Sequence, residues 1–245
     1  MAQRKSGYAR QVADNYATPV WCTRALLPHI PQRIEKIWEP AAGEGAMANV
    51  LRERARTTVI ATDIRPGNGM PTHTESIDFL DRSAAGAPEH LWGIAGIISN
   101  PPFYLAQEFI ERALEITDRY QGFVAMLLRS DFDHAKKRAH LFANCGEFAK
   151  RIVLTRRIVW FVDPLTGKPK ASPSENHAWL IWDHKHRGPA EIAYYLEDAH
   201  VHAPDRQQLQ SHPRQGRQGE GDLGPQGPAR QVEPVEAVAG PGGGE

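Results

Sequence analysis

The sequence predicts an α/β domain in which a largely parallel sheet carries helices on both faces. Apolar runs of strand length alternate along the chain with segments whose apolar residues recur at helical spacing. Several of the strand-like runs are continuously apolar, as parallel strands buried on both faces are. Such a sheet binds its ligands at the carboxyl ends of its strands, so residues that directly follow strands are the first candidates for function.

The first half of the predicted domain contains four strands and one helix. Lys36–Pro40 is a short apolar strand, and a Gly-containing turn leads from it into a helix at Glu44–Arg54. Thr57–Ile64 is rich in β-branched and apolar residues, which favour a strand. Ser76–Leu80 is a weaker strand candidate, and Gly93–Ser99 is a continuously apolar strand that runs into Asn-Pro-Pro-Phe.

The second half begins with a helix, because apolar residues recur at helical spacing from Leu105 to Ile116. Gly122–Leu128 is another apolar strand, and Asp131–Phe142 has the pattern of a basic amphipathic helix. Ile152–Val162 and His177–Trp182 predict a final antiparallel pair joined by a loop rich in Pro, Gly and Lys.

Composition sets the predicted domain limits. Hydrophobic residues make up 41% of the 245 residues, which is enough for a buried core. We expect an N-terminal arm at 1–13 and a folded domain at 14–185. Residues 186–245 are rich in Gly, Pro, Gln and Arg, so we expect a low-complexity, largely disordered tail in which only Ile192–Leu196 is apolar enough to pack.

Charge and cysteine content narrow the class of protein. Lys plus Arg equals Asp plus Glu at 29 each, which counts against tight nonspecific binding to nucleic acid but allows a local basic face. Cys22 and Cys145 have no metal-ligand spacing, so we predict no metal site and a reducing compartment. The polar N-terminus and the lack of a membrane-length apolar run predict a cytoplasmic protein with no membrane partner.

A glycine turn follows the first predicted strand. Gly43 and Gly45 in the run Glu39–Gly45 would let the backbone turn tightly and approach a ligand. Extended to Ala48, the run fits G-x-G-x-x-A, which by itself indicates a dinucleotide site. Glu39 and Glu44, however, would repel a pyrophosphate and attract the sulfonium and ammonium of S-adenosylmethionine. The charges therefore favour S-adenosylmethionine as the cofactor.

Two acidic residues follow the next strands. Asp63 lies 20 residues after Gly43, at a strand end where a carboxylate accepts hydrogen bonds from ribose hydroxyls, with Ile64 beside it. Asp78 follows the third strand and could accept a hydrogen bond from an adenine amino group, with Phe79 against the ring. Taken alone, Asp78 is better explained as a solvated turn residue.

The tetrapeptide Asn100–Phe103 ends the apolar strand Gly93–Ser99, at the predicted cofactor edge. Pro101 and Pro102 fix φ and remove two backbone donors, which leaves carbonyl oxygens free to face a ligand. An exocyclic amine is a poor nucleophile because its lone pair is delocalised. The Asn100 side-chain oxygen and the Pro101 carbonyl could hold its two hydrogens and aim the lone pair at a methyl group, while Phe103 stacks on a flipped base.

These motifs resemble those of amino-group methyltransferases. Asn100–Phe103 is similar to their (Asn/Asp/Ser)-Pro-Pro-aromatic motif, and Glu39–Gly45 is similar to their cofactor loop. Tyr16–Pro19 resembles their N-terminal cofactor segment, in which Thr18 would cap a helix at Val20–Leu27 and Pro19 would be its first residue. The order of the motifs, together with Ser174–Trp179, resembles small phage and prophage adenine-N6 DNA methyltransferases.

The resemblance covers residues 14 to 185 and implies a Rossmann-like, seven-stranded sheet with a reversed last strand. It implies methyl transfer from S-adenosylmethionine to N6 of adenine in DNA, in a bacterial or phage-infected cell. The predicted catalytic residues are Asn100, Pro101, Pro102 and Phe103. The predicted cofactor-binding residues are Tyr16, Thr18, Pro19, Glu39, Pro40, Ala41, Gly43, Gly45, Asp63, Ile64, Asp78 and Phe79.

Larger relatives append a target-recognition domain, whereas only the low-complexity tail follows the last strand here. Short loops at Arg129–Arg138 and Asp163–Pro173 are the candidates for contacting nucleic acid. Their predicted contact residues are Arg129, Lys136, Lys137, Lys168 and Lys170, although each taken singly fits a solvated face.

Other functions stay open. RNA and release-factor glutamine methyltransferases use the same Asn-Pro-Pro-aromatic device, usually with Tyr where this chain has Phe103. A noncatalytic nucleic-acid-binding accessory subunit is the alternative of another class, and a nicotinamide oxidoreductase ranks below it. We interpret His177, Trp179 and Trp182 as packing residues. Trp160 could stack on a base, but we favour a place in the core.

Overall fold

A single eight-stranded sheet organises the computed structural model, which describes residues 17–65, 75–82, 91–160, 173 and 175–196. Its strands are β1 Lys36–Glu39, β2 Thr58–Asp63, β3 Glu75–Ser76, β4 Gly96–Ser99, β5 Phe123–Arg129, β6 Phe148–Leu154, β7 His177–Asp183 and β8 Glu191–Tyr195. The α-helices are α1 Val20–Leu26, α2 Ala46–Leu51 and α3 Ala106–Asp118. Short 3₁₀ helices lie at Leu27–His29, Phe103–Leu105, Phe132–His134 and Lys136–Leu141.

The strand order is β3-β2-β1-β4-β5-β7-β6-β8. Strands β1 to β5 pair in parallel, and β7 is antiparallel to both β5 and β6. The predicted mostly parallel α/β sheet with a reversed β7 is thus confirmed, with one strand more than the seven expected. The order reverses between β1 and β4, and this switch point is where sheets of this type open a crevice for ligands.

Alternate residues of the central strands enter two core clusters, one on each face of the sheet. In β5, Phe123, Ala125 and Leu127 belong to the first cluster, and the intervening residues belong to the second. Helices α1 and α2 pack on the first face and α3 packs on the second, as a sheet buried on both faces requires. The helices on both faces are therefore also confirmed.

Two tryptophans of β7 are fully buried, one in each cluster. The indole of Trp179 donates to the Cys22 carbonyl (2.8 Å), and that of Trp182 donates to the Leu141 carbonyl (2.7 Å). A buried indole N–H needs such an acceptor, so each ring fixes a neighbouring segment as well as filling space. Their interpretation as packing residues is confirmed.

Several predicted elements differ in length or type. Helix α2 is shorter than the predicted Glu44–Arg54, and β3 has two residues where Ser76–Leu80 was expected. Strand β6 begins at Phe148 and ends at Leu154, so residues 155–160 are not strand as predicted. In each case the apolar pattern continues past the residues that form backbone hydrogen bonds with a neighbouring strand or within the helix.

The predicted α-helix at Asp131–Phe142 is wrong. Two 3₁₀ helices lie there, separated by Ala135 in an extended conformation (φ −87°, ψ 126°). Tertiary contacts favour the break: the Arg138 guanidinium lies 4.0 Å from the centre of the Phe132 ring, and Asp133 forms an ion pair with Arg151 of β6. The spacing of apolar residues correctly indicated helical turns in this segment. It could not show that contacts with residues elsewhere in the chain would prevent one continuous α-helix.

The sheet continues past residue 185, the predicted end of the domain. Strand β8 pairs in parallel with β6 from Lys150↔Glu191 to Leu154↔Tyr195. Ala193 and Tyr195 pack on the first core cluster, which explains why this short apolar patch forms a strand. None of the helices in the described ranges combines the length and apolar character that crossing a bilayer requires.

Candidate active site

A cavity of about 370 Å³ lies at the carboxyl ends of β1, β2 and β4, at the switch point of the sheet. It is lined by eleven of the predicted site residues: Thr18, Glu39, Pro40, Ala41, Gly43, Asp63, Ile64, Asp78, Phe79, Asn100 and Pro102. The cofactor loop and the Asn-Pro-Pro-Phe segment, which are far apart in sequence, therefore share one cavity.

Other predicted residues lie elsewhere. Pro19, Gly45, Pro101 and Phe103 are not among the described residues that line the cavity, although each is adjacent in sequence to one that is. Tyr16, Lys168 and Lys170 lie outside the described residues. The lining residues that were not predicted are Ala17, Ala42, Glu44, Ala46, Met47, Arg65, Ile77, Leu80, Tyr104, Leu105, Phe109 and Trp160.

The glycine turn after β1 uses the backbone freedom that glycine provides. Gly43 (φ 51°) and Gly45 (φ 78°) both have left-handed conformations, which a side chain disfavours. Gly45 is the N-cap of α2, and its N–H donates to the Ala42 carbonyl at 2.7 Å. The turn thus brings Gly43 and Glu44 to the cavity wall.

Asp63 connects the end of β2 to this turn. Its Oδ2 accepts a hydrogen bond from the Gly43 N–H (2.8 Å), and its Oδ1 accepts one from the Arg65 N–H (3.1 Å). A carboxylate can accept about four hydrogen bonds, so two bonds to the protein leave capacity for a ligand hydroxyl. Asp63 is only 6% exposed, and it lines the cavity.

Glu39, at the end of β1, is a buried carboxyl in the cavity wall. Burial raises its pKa well above the ordinary value and nearby Asp63 adds to the rise, whereas the Ala48 backbone and the charge of Arg52 oppose it. Its Oε2 has no hydrogen-bond partner among the described residues. Since an isolated buried carboxylate is costly, a cation bound beside Glu39 would stabilise its charged form.

Asn100 and Thr18 are joined across 82 residues of sequence. The Asn100 Nδ2 donates to the Thr18 hydroxyl oxygen at 3.2 Å, and both residues line the cavity. The predicted capping role of Thr18 is wrong: Pro19 is the N-cap of α1, no side chain caps that helix, and Val20 is its first residue. The Thr18 hydroxyl faces Asn100 instead of the helix N-terminus.

The two prolines shape the segment after β4. Pro101 is buried, and Pro102 (φ −54°, ψ 125°) is the N-cap of the 3₁₀ helix Phe103–Leu105. The Pro102 carbonyl accepts the Leu105 N–H at 2.9 Å. This tight turn leads directly into α3, so the Asn-Pro-Pro-Phe segment is held between a central strand and a helix.

Three aromatic rings meet beside Asn100. The His177 ring lies 6.0 Å from the Phe103 ring and 5.2 Å from the Trp160 ring, measured between centroids. Trp160 also lines the cavity, so its interpretation as a core residue describes only part of its surroundings. Tyr104 lines the cavity as well and is 67% exposed, which makes it the most exposed aromatic ring in the described part of the wall.

His177 is almost fully buried at the start of β7. Burial lowers its pKa to about 4, although the Glu175 backbone partly opposes the shift. The imidazole is therefore neutral near pH 7, and it packs against Phe103 and Trp160 as an uncharged ring.

Asp78 and Phe79 also line the cavity. The Asp78 Oδ1 accepts the Leu80 N–H at 2.9 Å, the bond of an Asx turn, so this residue is a turn residue that also faces the cavity. Phe79 is buried between the rings of Trp38 (5.1 Å) and Phe109 (4.8 Å). These contacts fix the ring in place.

The three predicted nucleic-acid contacts within the described residues, Arg129, Lys136 and Lys137, do not line the cavity. Arg129 forms ion pairs with Asp131 (2.9 Å) and Glu175 (2.9 Å), and its hydrogen bond to Asp131 raises its pKa. Lys136 and Lys137 are exposed on the second 3₁₀ helix after β5. Two carboxylates thus offset the charge of Arg129, whereas Lys136 and Lys137 have exposed side chains and form no ion pair with another described residue.

No protein-family model matches the chain, and no curated protein sequence matches it either. Solved structures give loose matches. A type I restriction-modification methyltransferase subunit from Streptococcus thermophilus aligns at 13% identity and TM-score 0.45, over 71% of this chain and 46% of that one. A predicted O-methyltransferase from Agrobacterium tumefaciens aligns at 17% identity and TM-score 0.44, over 78% and 94%.

An rRNA methyltransferase from Streptomyces viridochromogenes aligns at 15% identity and TM-score 0.40, over 73% of this chain and 90% of that one. The chain spans about half the length of the Streptococcus thermophilus subunit. At these identities and TM-scores the matches do not decide a reaction or a substrate.

Proposed function

We propose that the chain is an S-adenosylmethionine-dependent methyltransferase that methylates an exocyclic amine, N6 of adenine in DNA. The observation that carries the proposal is the shared cavity: Asn100 and the Gly43 turn line the same 370 Å³ space. That volume is within the usual range for a small-molecule site, about 300–1,000 Å³.

The charges around the cavity suit S-adenosylmethionine better than a nucleotide cofactor. Four described lining residues are acidic, namely Glu39, Glu44, Asp63 and Asp78, and only Arg65 is basic. The cofactor supplies an electrophilic methyl group on a sulfonium and carries an ammonium, both of which acidic groups attract. A pyrophosphate in the same place would face an acidic wall.

Glu39 has a further part in this proposal. Its buried carboxyl is costly to ionise in the free protein, and a bound cation offsets that cost. Asp63 holds the glycine turn and keeps capacity to accept a ribose hydroxyl. Ile64, which is 59% exposed and lines the cavity, offers apolar surface to an adenine ring.

Asn100 is the proposed acceptor for the target amine. Its NH₂ end donates to Thr18, which orients the amide and assigns its oxygen the acceptor role towards a substrate N–H. With the Pro101 carbonyl as the second acceptor, the amine would be held with its lone pair towards the methyl group. Positioning and electrostatic stabilisation then carry the transfer, without a strong general base.

Aromatic rings near Asn100 support a planar substrate. Trp160 and Tyr104 line the cavity, Phe103 and Trp160 both pack against the His177 ring, and aromatic faces stack on bases. A base inside a duplex is out of reach of such a cavity and would have to be flipped out. The choice of adenine in DNA comes from the sequence resemblance, and RNA or protein glutamine substrates are the alternatives to test.

The test is incubation of the full chain with methyl-labelled S-adenosylmethionine and, separately, DNA, RNA or ribosomal extract. We expect label in N6-methyladenine of DNA, and none with the Asn100→Ala variant. Label only in protein would contradict the nucleic-acid assignment, and label only in RNA would contradict the DNA assignment. No measurable affinity for S-adenosylmethionine would instead indicate a noncatalytic accessory subunit.

A further inference from the structure

The carboxyl edge of the sheet carries two adjacent arginines that the sequence motifs did not single out. Arg156 and Arg157 follow β6 directly, and both are exposed. Strand β6 runs in the same direction as β4 and β5, because β7 is antiparallel to both β5 and β6. The two arginines therefore lie at the edge of the sheet that also contains the cavity.

Arg157 is held by neutral groups. Its Nε donates to the Asn176 side-chain oxygen (3.0 Å), and its Nη1 donates to the Pro173 carbonyl (3.2 Å). Among the described residues, no carboxylate lies within ion-pair distance of Arg157, whereas Arg129 on the same edge has two. Two neutral acceptors orient the guanidinium but leave its charge and several of its five N–H donors available.

Arg157 is connected to the cavity wall through residues that it contacts or that follow it in the sequence. Asn176, its partner, precedes His177, whose ring contacts both Phe103 and Trp160. Trp160 lines the cavity three residues after Arg157. The guanidinium of the preceding residue, Arg156, lies 5.3 Å from the centre of the Trp21 ring of α1.

We infer that Arg157 contacts the phosphate backbone of the nucleic acid whose base enters the cavity. An oriented guanidinium matches the geometry of phosphate oxygens, and such contacts position a strand without reading its sequence. The inference rests on the proposed nucleic-acid substrate. It also agrees with a chain of zero net charge, because binding then needs a local cation at the cavity rather than a basic surface overall.

The test compares Arg157→Gln, Arg157→Lys and Arg119→Gln with the wild-type chain. Arg119 is an exposed arginine at the carboxyl end of α3, at the opposite edge of the sheet. Arg119→Gln is therefore the control that removes the same charge at a different place. Binding of fluorescent single-stranded DNA, duplex DNA and RNA of one sequence is measured by anisotropy over a NaCl series. S-adenosylmethionine affinity and methyl transfer are measured on the same preparations.

We expect Arg157→Gln to weaken binding of the substrate strand roughly threefold to tenfold, independently of its sequence. The slope of log affinity against log salt should fall by about 0.7–0.9, the loss of one phosphate contact. Arg157→Lys should retain most of the affinity because it keeps the charge, and Arg119→Gln should match the wild type.

Unchanged affinity and salt slope in Arg157→Gln would overturn the inference. Equal losses in Arg157→Gln and Arg157→Lys would also overturn it, because the side chain would then act by holding the loop through Asn176 and Pro173. Methyl transfer to nucleic acid by the wild type would meanwhile keep the proposed function intact. A wild type that binds S-adenosylmethionine but no nucleic acid would contradict both the inference and the proposed substrate.

Discussion

The hydrogen bond between Asn100 and Thr18 gives a physical reason for a Thr at the edge of the cavity. An amide that must present its oxygen to a substrate needs its NH₂ end engaged, and the Thr18 hydroxyl accepts that bond. Sequence could predict that both residues lie near the cofactor, since each belongs to a motif. It could not predict their contact, because nothing local in the sequence relates residues 82 positions apart.

We predict that Thr18→Val slows methyl transfer roughly tenfold, because a misoriented acceptor loses part of the positioning effect. Thr18→Ser, which keeps the hydroxyl, should restore most of the rate. The affinity for S-adenosylmethionine should change little in either variant. Single-turnover kinetics and calorimetric titration measure the two quantities, and a Val variant as fast as the Ser variant would remove Thr18 from the mechanism.

His177 gives the protein a defined sensitivity to acid. Its pKa is lowered from 6.5 to about 4 by burial, so the unfolded chain takes up a proton at a higher pH than the folded chain does. This residue has no effect on stability above pH 6.5. As the pH falls from 6.5 to about 4, protonation of His177 in the unfolded chain lowers the free energy of unfolding, by about 3 kcal/mol in total.

We predict that His177→Phe, which keeps an aromatic ring against Phe103 and Trp160, removes this part of the acid sensitivity. Urea unfolding between pH 4 and 7 measures it. The control is His134→Gln, which removes a histidine whose side chain is 72% exposed rather than buried. If His177→Phe and the wild type lost stability in parallel over this pH range, the burial of a neutral His177 would be wrong.

At the scale of elements, the cofactor turn illustrates what local sequence can predict. Gly43 and Gly45 were expected to allow a tight turn, and both have positive φ. The acidic residue at the end of β2 was expected to serve a ligand, but it also bonds the Gly43 N–H and so holds the turn itself. Spacing predicted the position of Asp63, and only the three-dimensional fold reveals the contact.

We predict that Asp63→Ala weakens the affinity for S-adenosylmethionine at least tenfold and lowers the free energy of unfolding by about 1–3 kcal/mol, because the Gly43 and Arg65 N–H groups lose their acceptor. Asp78→Ala, which removes a single turn bond, should have a smaller effect on both. Calorimetric titration and urea unfolding measure them. Unchanged cofactor affinity in Asp63→Ala would exclude Asp63 from the site.

Local sequence patterns predicted the structure poorly where a segment depends on contacts with residues elsewhere in the chain. The segment after β5 has helical periodicity, yet the ion pair between Asp133 and Arg151 and the contact of Arg138 with Phe132 accompany two 3₁₀ turns. Trp160 was interpreted as a core residue within the predicted strand Ile152–Val162, with stacking on a base as the alternative. Its place in the cavity wall depends on the loop between β6 and β7, whose path no local pattern specifies.

At the scale of the whole molecule, the order of the strands brings the separate motifs together. Strands β1 and β2 carry the turn and Asp63, and β4 on the other side of β1 ends in Asn100. Because parallel strands end at one edge, motifs spread over more than 80 residues of sequence share one cavity. The sequence predicted this arrangement correctly, whereas the extra strand β8 lies beyond the expected domain end.

We predict that truncation after Leu196 leaves the stability of the domain and its affinity for S-adenosylmethionine unchanged, within about 0.5 kcal/mol. Truncation after Lys185 removes β8 and the packing of Ala193 and Tyr195, and should lower the free energy of unfolding by at least about 2 kcal/mol. Urea unfolding of both truncations measures the difference. Equal stabilities would show that β8 contributes nothing to the folded domain.

The most direct test of the account is Asn100→Ala, measured for cofactor binding and methyl transfer in the same preparation. We predict that the affinity for S-adenosylmethionine stays within roughly threefold of the wild type, while single-turnover transfer to adenine falls by a factor on the order of 10²–10³. Transfer at a near-normal rate by Asn100→Ala would contradict the claim that this amide holds the target amine.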